Sequence, residues 1–139
     1  MPVNNILDQL ARDEGWRLKP YVDTVGKITI GCGRNLTDNG ISQTEAENLL
    51  WNDLGVVSNG IVKALPWTQQ LDGVRFGALK NMAFNMGVAG LLGFRQFLAK
   101  MQAGDWDGAA AEMLNSKWAE QVGARAERLA LQIRTGDWI

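Results

Sequence analysis

The sequence predicts a mixed α+β domain, with many helices around one central helix and a single small sheet near the start. Three observations carry this. From Lys27 to Gly33, Ile28, Ile30 and Cys32 alternate with Thr29, Gly31 and Gly33, the two-residue period of a strand. From Leu71 to Met86, the residues Val74, Ala78, Leu79, Met82 and Ala83 return at helical intervals, and Phe76 and Phe84 widen the apolar surface. That pattern predicts a central, largely buried helix. No internal repeat, low-complexity tract or linker interrupts the 139 residues, a length suited to one domain with a substantial core.

In chain order, Asn5 to Glu14 has Ile6, Leu7, Leu10 and Ala11 on one face, an amphipathic helix ended by Gly15. The strand follows. Its alternation points Ile28, Ile30 and Cys32 into a core and leaves Thr29 and the glycines on a polar face. Asn39-Gly40 is a turn signal that either closes a small hairpin or ends the small lobe. Ser42-Gln-Thr-Glu45 reads as a capping box opening a helix with Ala46, Leu49, Leu50, Leu54 and Val57 on its apolar face. Gly60 is expected to stop or break that helix. Gly87, Gly90 and Gly93 punctuate a loop and a short helix, and Phe94, Phe97, Leu98 and Met101 are core positions. Asp105 should cap a helix carrying Trp106, Ala109, Ala110 and Met113. The terminal helix turns Ala126, Leu129, Ala130 and Ile133 inward. Most of the six tryptophans are expected in the core.

Composition narrows the function classes. The formal net charge is −1. Residues 1–60 carry five basic and eight acidic groups and residues 61–139 carry nine and seven, a mild asymmetry without a basic stripe. No nucleic-acid footprint is present. The chain has no His, which weakens zinc and Ser-His-Asp chemistry together. Cys32 is the single cysteine, so no intramolecular disulfide forms, and its place in the alternation predicts a buried structural thiol. No metal or organic cofactor is called for. The first fifteen residues hold no apolar core of signal-peptide length, and no stretch approaches a membrane span. Synthesis and folding in the cytoplasm are expected, with no stable membrane insertion.

Acid–base work is left to carboxylates, Lys, Tyr and Arg. Glu14 and Asp23 stand nine positions apart and Thr29 follows six later. Glu14 falls on the last turn of its helix, where the dipole disfavours the ionised carboxylate. Asp23 lies in a Val-Asp-Thr-Val-Gly turn, open to water and backbone donors. One acid protonated and one ionised is what glycoside hydrolysis requires, although this spacing alone recurs often by chance.

The wider pattern is more specific. Glu14-Gly15, Arg17-Leu18-Lys19, Tyr21, Asp23-Thr24, Gly26, Thr29-Ile30-Gly31 and Gly33 resemble the phage T4-type lysozymes. Downstream, Asp72-Gly-Val-Arg, Asn81-Met82, Phe84, Met86-Gly87, Trp106-Asp107, Ser116-Lys-Trp118, Arg125 and Arg134-Thr135-Gly136-Asp-Trp138 continue the likeness in the same order. The resemblance implies a single lysozyme-like catalytic domain over 1–139. Its small β lobe would cover about 15–40, and its helical lobe about 60–139 plus the N-terminal helix, with a cleft between them. It implies Glu14, Asp23 and Thr29 as catalytic residues. Asn85, Trp118, Arg125 and Gly31 are the candidate substrate-binding residues, and Arg125 is expected to pair with Glu14. The implied reaction is inverting hydrolysis of the β-1,4 bond between N-acetylmuramic acid and N-acetylglucosamine. The implied partners are peptidoglycan glycan strands, reached by a monomer through a holin-type pore. A wall-binding domain without catalysis and a lytic transglycosylase are the alternatives. Arg34 stands where the best-known member of that family has a His, and the short segment from Leu36 to Ser42 predicts a trimmed small lobe.

Overall fold

The computed structural model describes residues 2–139. They form an α+β fold, mostly helical, with one three-stranded antiparallel sheet in the order β1-β2-β3. The chain divides into two compact units, Met1–Leu49 and Leu50–Ile139.

The first unit holds α1 (Ile6–Glu14), β1 (Arg17–Val22), β2 (Ile28–Gly31), β3 (Arg34–Asn35), the single-turn helix α2 (Leu36–Asn39) and the start of α3 (Gln43–Ala64). Helix α1, expected with the helical lobe, groups with the sheet. The Cys32 thiol donates to the Leu10 carbonyl at 3.4 Å, which ties α1 to the turn after β2. Strand β1 is not signalled by alternation. It carries Pro20, lies at the sheet edge, and its register against β2 shifts between Arg17 and Tyr21. Pro has no N–H to give a ladder and is tolerated at such an edge.

The face assignment of β2 is corrected by the structure. Thr29 is 4% exposed and Ile28 is 48% exposed, with Ile30 and Cys32 half-buried. Thr29 turns inward because Lys27 O accepts its hydroxyl proton, so the polar group is satisfied where it is buried. Cys32 is therefore not the fully buried thiol that alternation predicts. Asn39-Gly40 ends α2 rather than a hairpin, with Gly40 N donating to Leu36 O. The capping box at α3 is present in both directions: Glu45 N donates to Ser42 Oγ at 3.1 Å and Ser42 N to Glu45 Oε1 at 2.9 Å.

The second unit contains the rest of α3, a 3-10 turn (Pro66–Gln70), α4 (Gly73–Met86), α5 (Val88–Leu92), α6 (Arg95–Ala103), α7 (Trp106–Leu114), α8 (Lys117–Val122) and α9 (Ala124–Thr135). Helix α4 buries Ala78, Leu79, Met82 and Ala83 and packs on α5 and α9. Gly60 does not break α3, which runs on to Ala64. A Cβ on Gly60 would lie 3.1 Å from Val88 Cγ2, so the missing side chain is a close-packing device. Asp105 caps α7 by accepting from Gly108 N at 3.0 Å, and this bond, then the Lys100 ammonium, holds its carboxyl below the usual range. Ala126, Leu129, Ala130 and Ile133 are buried on α9 as the period requires. Gln132 joins them, its amide donating to Val74 O at 2.8 Å.

Arg75 fastens two helix ends. Its Nε donates to Ile133 O at 2.6 Å and Nη2 to Arg134 O at 3.2 Å, and its guanidinium lies 4.1 Å from the Trp106 ring centroid. A cation at the carbonyl end of α9 also suits the helix dipole. The expectation of core tryptophans fails for Trp16, Trp51 and Trp138, all exposed. Trp138 lies over Gly77, where any Cβ would collide with its ring. Aromatic period alone cannot separate packing onto a glycine from burial in a core.

Candidate active site

Glu14 is the last residue of α1 and is exposed. Gly15 takes φ 75° and donates its N–H to Ala11 O at 2.9 Å, so the chain leaves the helix directly after the acid. The Glu14 carboxylate faces the β2–β3 turn: a Cβ on Gly33 would lie 3.9 Å from Glu14 Oε2. Gly33 has φ 85°, a conformation that favours glycine.

Asp23 opens the β1–β2 hairpin loop. Gly26 N donates to Asp23 O at 3.1 Å, Gly26 has φ 86°, and Asp23 N donates to Lys27 O at 2.8 Å. A three-residue hairpin loop with glycine in the left-handed position is a common solution. The Asp23 side chain then folds back over its own turn. Its Oδ1 accepts from Val25 N at 3.0 Å and from Lys27 N at 2.8 Å. Thr29 bonds to the same residue, its Oγ1 donating to Lys27 O at 3.1 Å. The Asp23 carboxylate and the Thr29 hydroxyl are thus both fixed to the backbone of one residue, Lys27. Sequence reasoning passed over Lys27, whose part is played by its backbone. The available signal was the Asp-x-x-Gly-Lys order of the turn.

This arrangement has a defined hydrogen-bonding capacity. Oδ1 of Asp23 is occupied by two backbone donors, which leaves Oδ2 as the acceptor for a further donor. The Thr29 hydroxyl donates its hydrogen bond to Lys27 O and still offers its oxygen lone pairs as acceptors. A water between them would donate one proton to each. Gly31, also a candidate, has φ 70° and pairs with Arg17 across the sheet.

Arg34 forms its own ion pair. Its Nη1 lies 2.8 Å from Glu45 Oε1 and 3.1 Å from Gly40 O. That guanidinium, with the Ser42 N–H and hydroxyl, holds the Glu45 carboxyl down to about 2, and Glu45 in turn raises Arg34. An open pocket of about 800 Å³ beside them is lined by Trp16, Ile30, Cys32, Gly33, Arg34 and Leu49, among others.

The other candidates belong to the second unit. Trp118 Nε1 donates to Asn85 Oδ1 at 2.8 Å, so two residues chosen separately from sequence are one pair. The Trp118 ring is 8% exposed and meets Phe94 edge-on at 6.3 Å. Because an indole N–H can only donate, it fixes the Asn85 oxygen toward itself and leaves the amide NH2 for another acceptor. Asn85 is exposed. Arg125 is held within this unit by Asn81: Nε donates to Asn81 Oδ1 at 2.9 Å and Nη2 to Asn81 O at 3.3 Å. Asn81 is thus the anchor of Arg125.

The phage lysozyme family matches residues 11–134 of this chain. The chain belongs to that family. It is 32% identical to the probable T4-type lysozyme 1 of Dictyostelium discoideum, over 96% of each chain. It is 33% identical to the endolysin of Acyrthosiphon pisum secondary endosymbiont phage 1, over 80% of this chain and 75% of that one. It is also 35% identical to the pre-baseplate central spike protein Gp5 of Enterobacteria phage T4, over 98% of this chain. Against that spike protein it spans 28% of the length. In this member of the family, Arg34 is paired with Glu45 within the first unit.

Proposed function

We propose that this chain hydrolyses the β-1,4 bond between N-acetylmuramic acid and N-acetylglucosamine in bacterial peptidoglycan, with inversion at the anomeric carbon. Family membership supports the substrate class. The observation that carries the reaction is the attachment of Asp23 and Thr29 to the two polar atoms of the Lys27 backbone. Glu14 protonates the leaving glycosidic oxygen. A water held between Asp23 Oδ2 and Thr29 Oγ1 directs a lone pair at the anomeric carbon from the opposite side of the sugar. As the new C–O bond forms, Asp23 takes the water's proton. An inverting site keeps its carboxyls about 6.5–9.5 Å apart to admit that water.

Asn85 presents its amide NH2 to a hydroxyl or acetamido oxygen of the glycan. Trp118, with little exposed ring, serves by orienting Asn85 rather than by stacking on a sugar. Arg125 supplies a cation beside the glycan. A transglycosylase would need no placed water, because the sugar's own hydroxyl is the nucleophile. The protein acts as a monomer and causes host lysis, reaching the wall from the cytoplasm through a separately made membrane pore.

Clearing of purified cell walls, followed by mass analysis of the soluble products, tests this reading. The expected products carry the mass of one water per broken bond. Anhydro-muramyl ends would assign a transglycosylase, and binding without release of fragments would assign a wall-binding domain.

A further inference from the structure

Lys27 joins Asp23 to Thr29 through its backbone, and its side chain is engaged as well. Lys27 Nζ donates to Asp38 Oδ1 at 3.0 Å. Asp38 is itself fixed, because Asn35 Nδ2 donates to its Oδ2 at 2.9 Å and its N–H donates to Asn35 Oδ1 at 3.0 Å. The neighbouring residue of α2, Thr37, accepts from Ile28 N at 2.8 Å. Ile28 N belongs to the same peptide unit as Lys27 O. The peptide unit that holds Thr29 is therefore tied to α2 through Thr37.

The other peptide unit is more exposed to disorder. Lys27 N–H, which holds Asp23, lies in the Gly26–Lys27 peptide. Gly26 is the residue with the fewest steric limits on rotating that plane. Thr24, Val25 and Gly26 are all exposed. The Lys27 side chain is the element that anchors this side of the residue to α2.

We propose that Lys27 is a positioning residue, whose ion pair with Asp38 fixes the peptide that aims Asp23 relative to Thr29. The proposal rests on the hydrolase reading above for its catalytic consequence, and on geometry alone for its structural one. It gives α2 a function: the single helical turn is a fixed post for both peptides of Lys27.

The test uses the full chain with Lys27→Ala, Asp38→Asn and the charge exchange Lys27→Glu with Asp38→Lys. Two measurements are made on each. One is wall hydrolysis, separated into kcat and KM. The other is amide hydrogen exchange at Val25 and Lys27, the two donors to the Asp23 carboxylate. Lys27→Ala is expected to lower kcat about tenfold without changing KM, within the roughly 10²-fold that a 1 Å misplacement can cost. Exchange at Val25 and Lys27 should accelerate while amides of α1 and α4 keep their protection. Asp38→Asn should act in the same direction by a smaller factor, and the charge exchange should restore both readouts. Unchanged kcat and unchanged exchange in Lys27→Ala would overturn the proposal. So would equal acceleration at all amides, which would mark a general stabilising role. If the wild type releases no fragments from walls, the hydrolase reading fails, and the exchange data alone decide whether Lys27 holds the turn.

Discussion

In the second unit every fully buried hydrophobic side chain, from Ile61 to Ile133, belongs to one cluster. In the first, among the described residues, the one buried side chain is Thr29. Leu18, Val25 and Trp16 of the first unit remain exposed. The second unit is thus held by packing, which responds to lost volume. The first is ordered by backbone hydrogen bonds, caps and ion pairs, which respond to lost donors and charges. The proposed chemistry lies in the region without a core. An acid, a water-activating carboxylate and a hydroxyl need access to water, and a small set of directional bonds places them more closely than an apolar cluster would.

Substitutions on either side sharpen that contrast, and the largest effect is expected at Glu14. Glu14→Gln keeps the shape and removes the transferable proton. Wall clearing should fall by about 10²–10⁴-fold, the usual worth of general acid–base catalysis, with an unchanged melting temperature. Leu79→Ala reverses the pattern. Leu79 is 0% exposed in the core of α4, and the cavity should cost about 2–5 kcal/mol of stability by denaturant titration. The specific activity of the molecules still folded should hold.

Thr29→Val crosses the divide, because Thr29 is both the buried residue of its unit and a proposed water ligand. It removes one of the two donors to Lys27 O, which keeps the Asp23 N–H, so the cost should be that of one net hydrogen bond, about 0.5–1.5 kcal/mol. It should also slow hydrolysis more than that loss of stability explains. Wild-type activity in this variant would remove Thr29 from the water site. The mildest change is Glu45→Gln, at a solvent-accessible pair. The folded-state carboxyl of Glu45 is lowered from 4.5 to about 2. Its contribution is therefore complete above about pH 4.5 and disappears as the pH falls through about 2. Thermal melts of Glu45→Gln should show a small deficit at neutral pH that closes as the pH drops across this window. A constant deficit would mean that the Arg34–Glu45 pair adds nothing through its charge.

The second unit was more legible in sequence than the first, and the reason is physical. Burial on one face of a helix writes a 3.6-residue period, so Ala78, Leu79, Met82 and Ala83, and the four apolar residues of α9, could be read directly. Caps write local signatures too, as at Ser42–Glu45 and Asp105. Backbone bonds leave little trace in side-chain pattern. Lys27 and the edge strand β1 were missed for that reason, and the period-two reading of β2 put Ile28 inside and Thr29 outside. Gly60 was misread because a glycine that stops a helix and one that admits a neighbour look alike in sequence. Glu14, Asp23 and Thr29 were chosen by resemblance to a family, since their spacing alone is not distinctive.

The most direct measurement of the proposed reaction is the anomeric form of the first product. Purified glycan strands are digested in heavy water, and the new reducing ends are followed by proton NMR before mutarotation. In-line attack by the water between Asp23 and Thr29 predicts the α-anomer of N-acetylmuramic acid, and Glu14→Gln should abolish its appearance. The β-anomer would mean that a protein group, not that water, attacks first. Anhydro ends would mean that no water enters at all, and either result would contradict the site described.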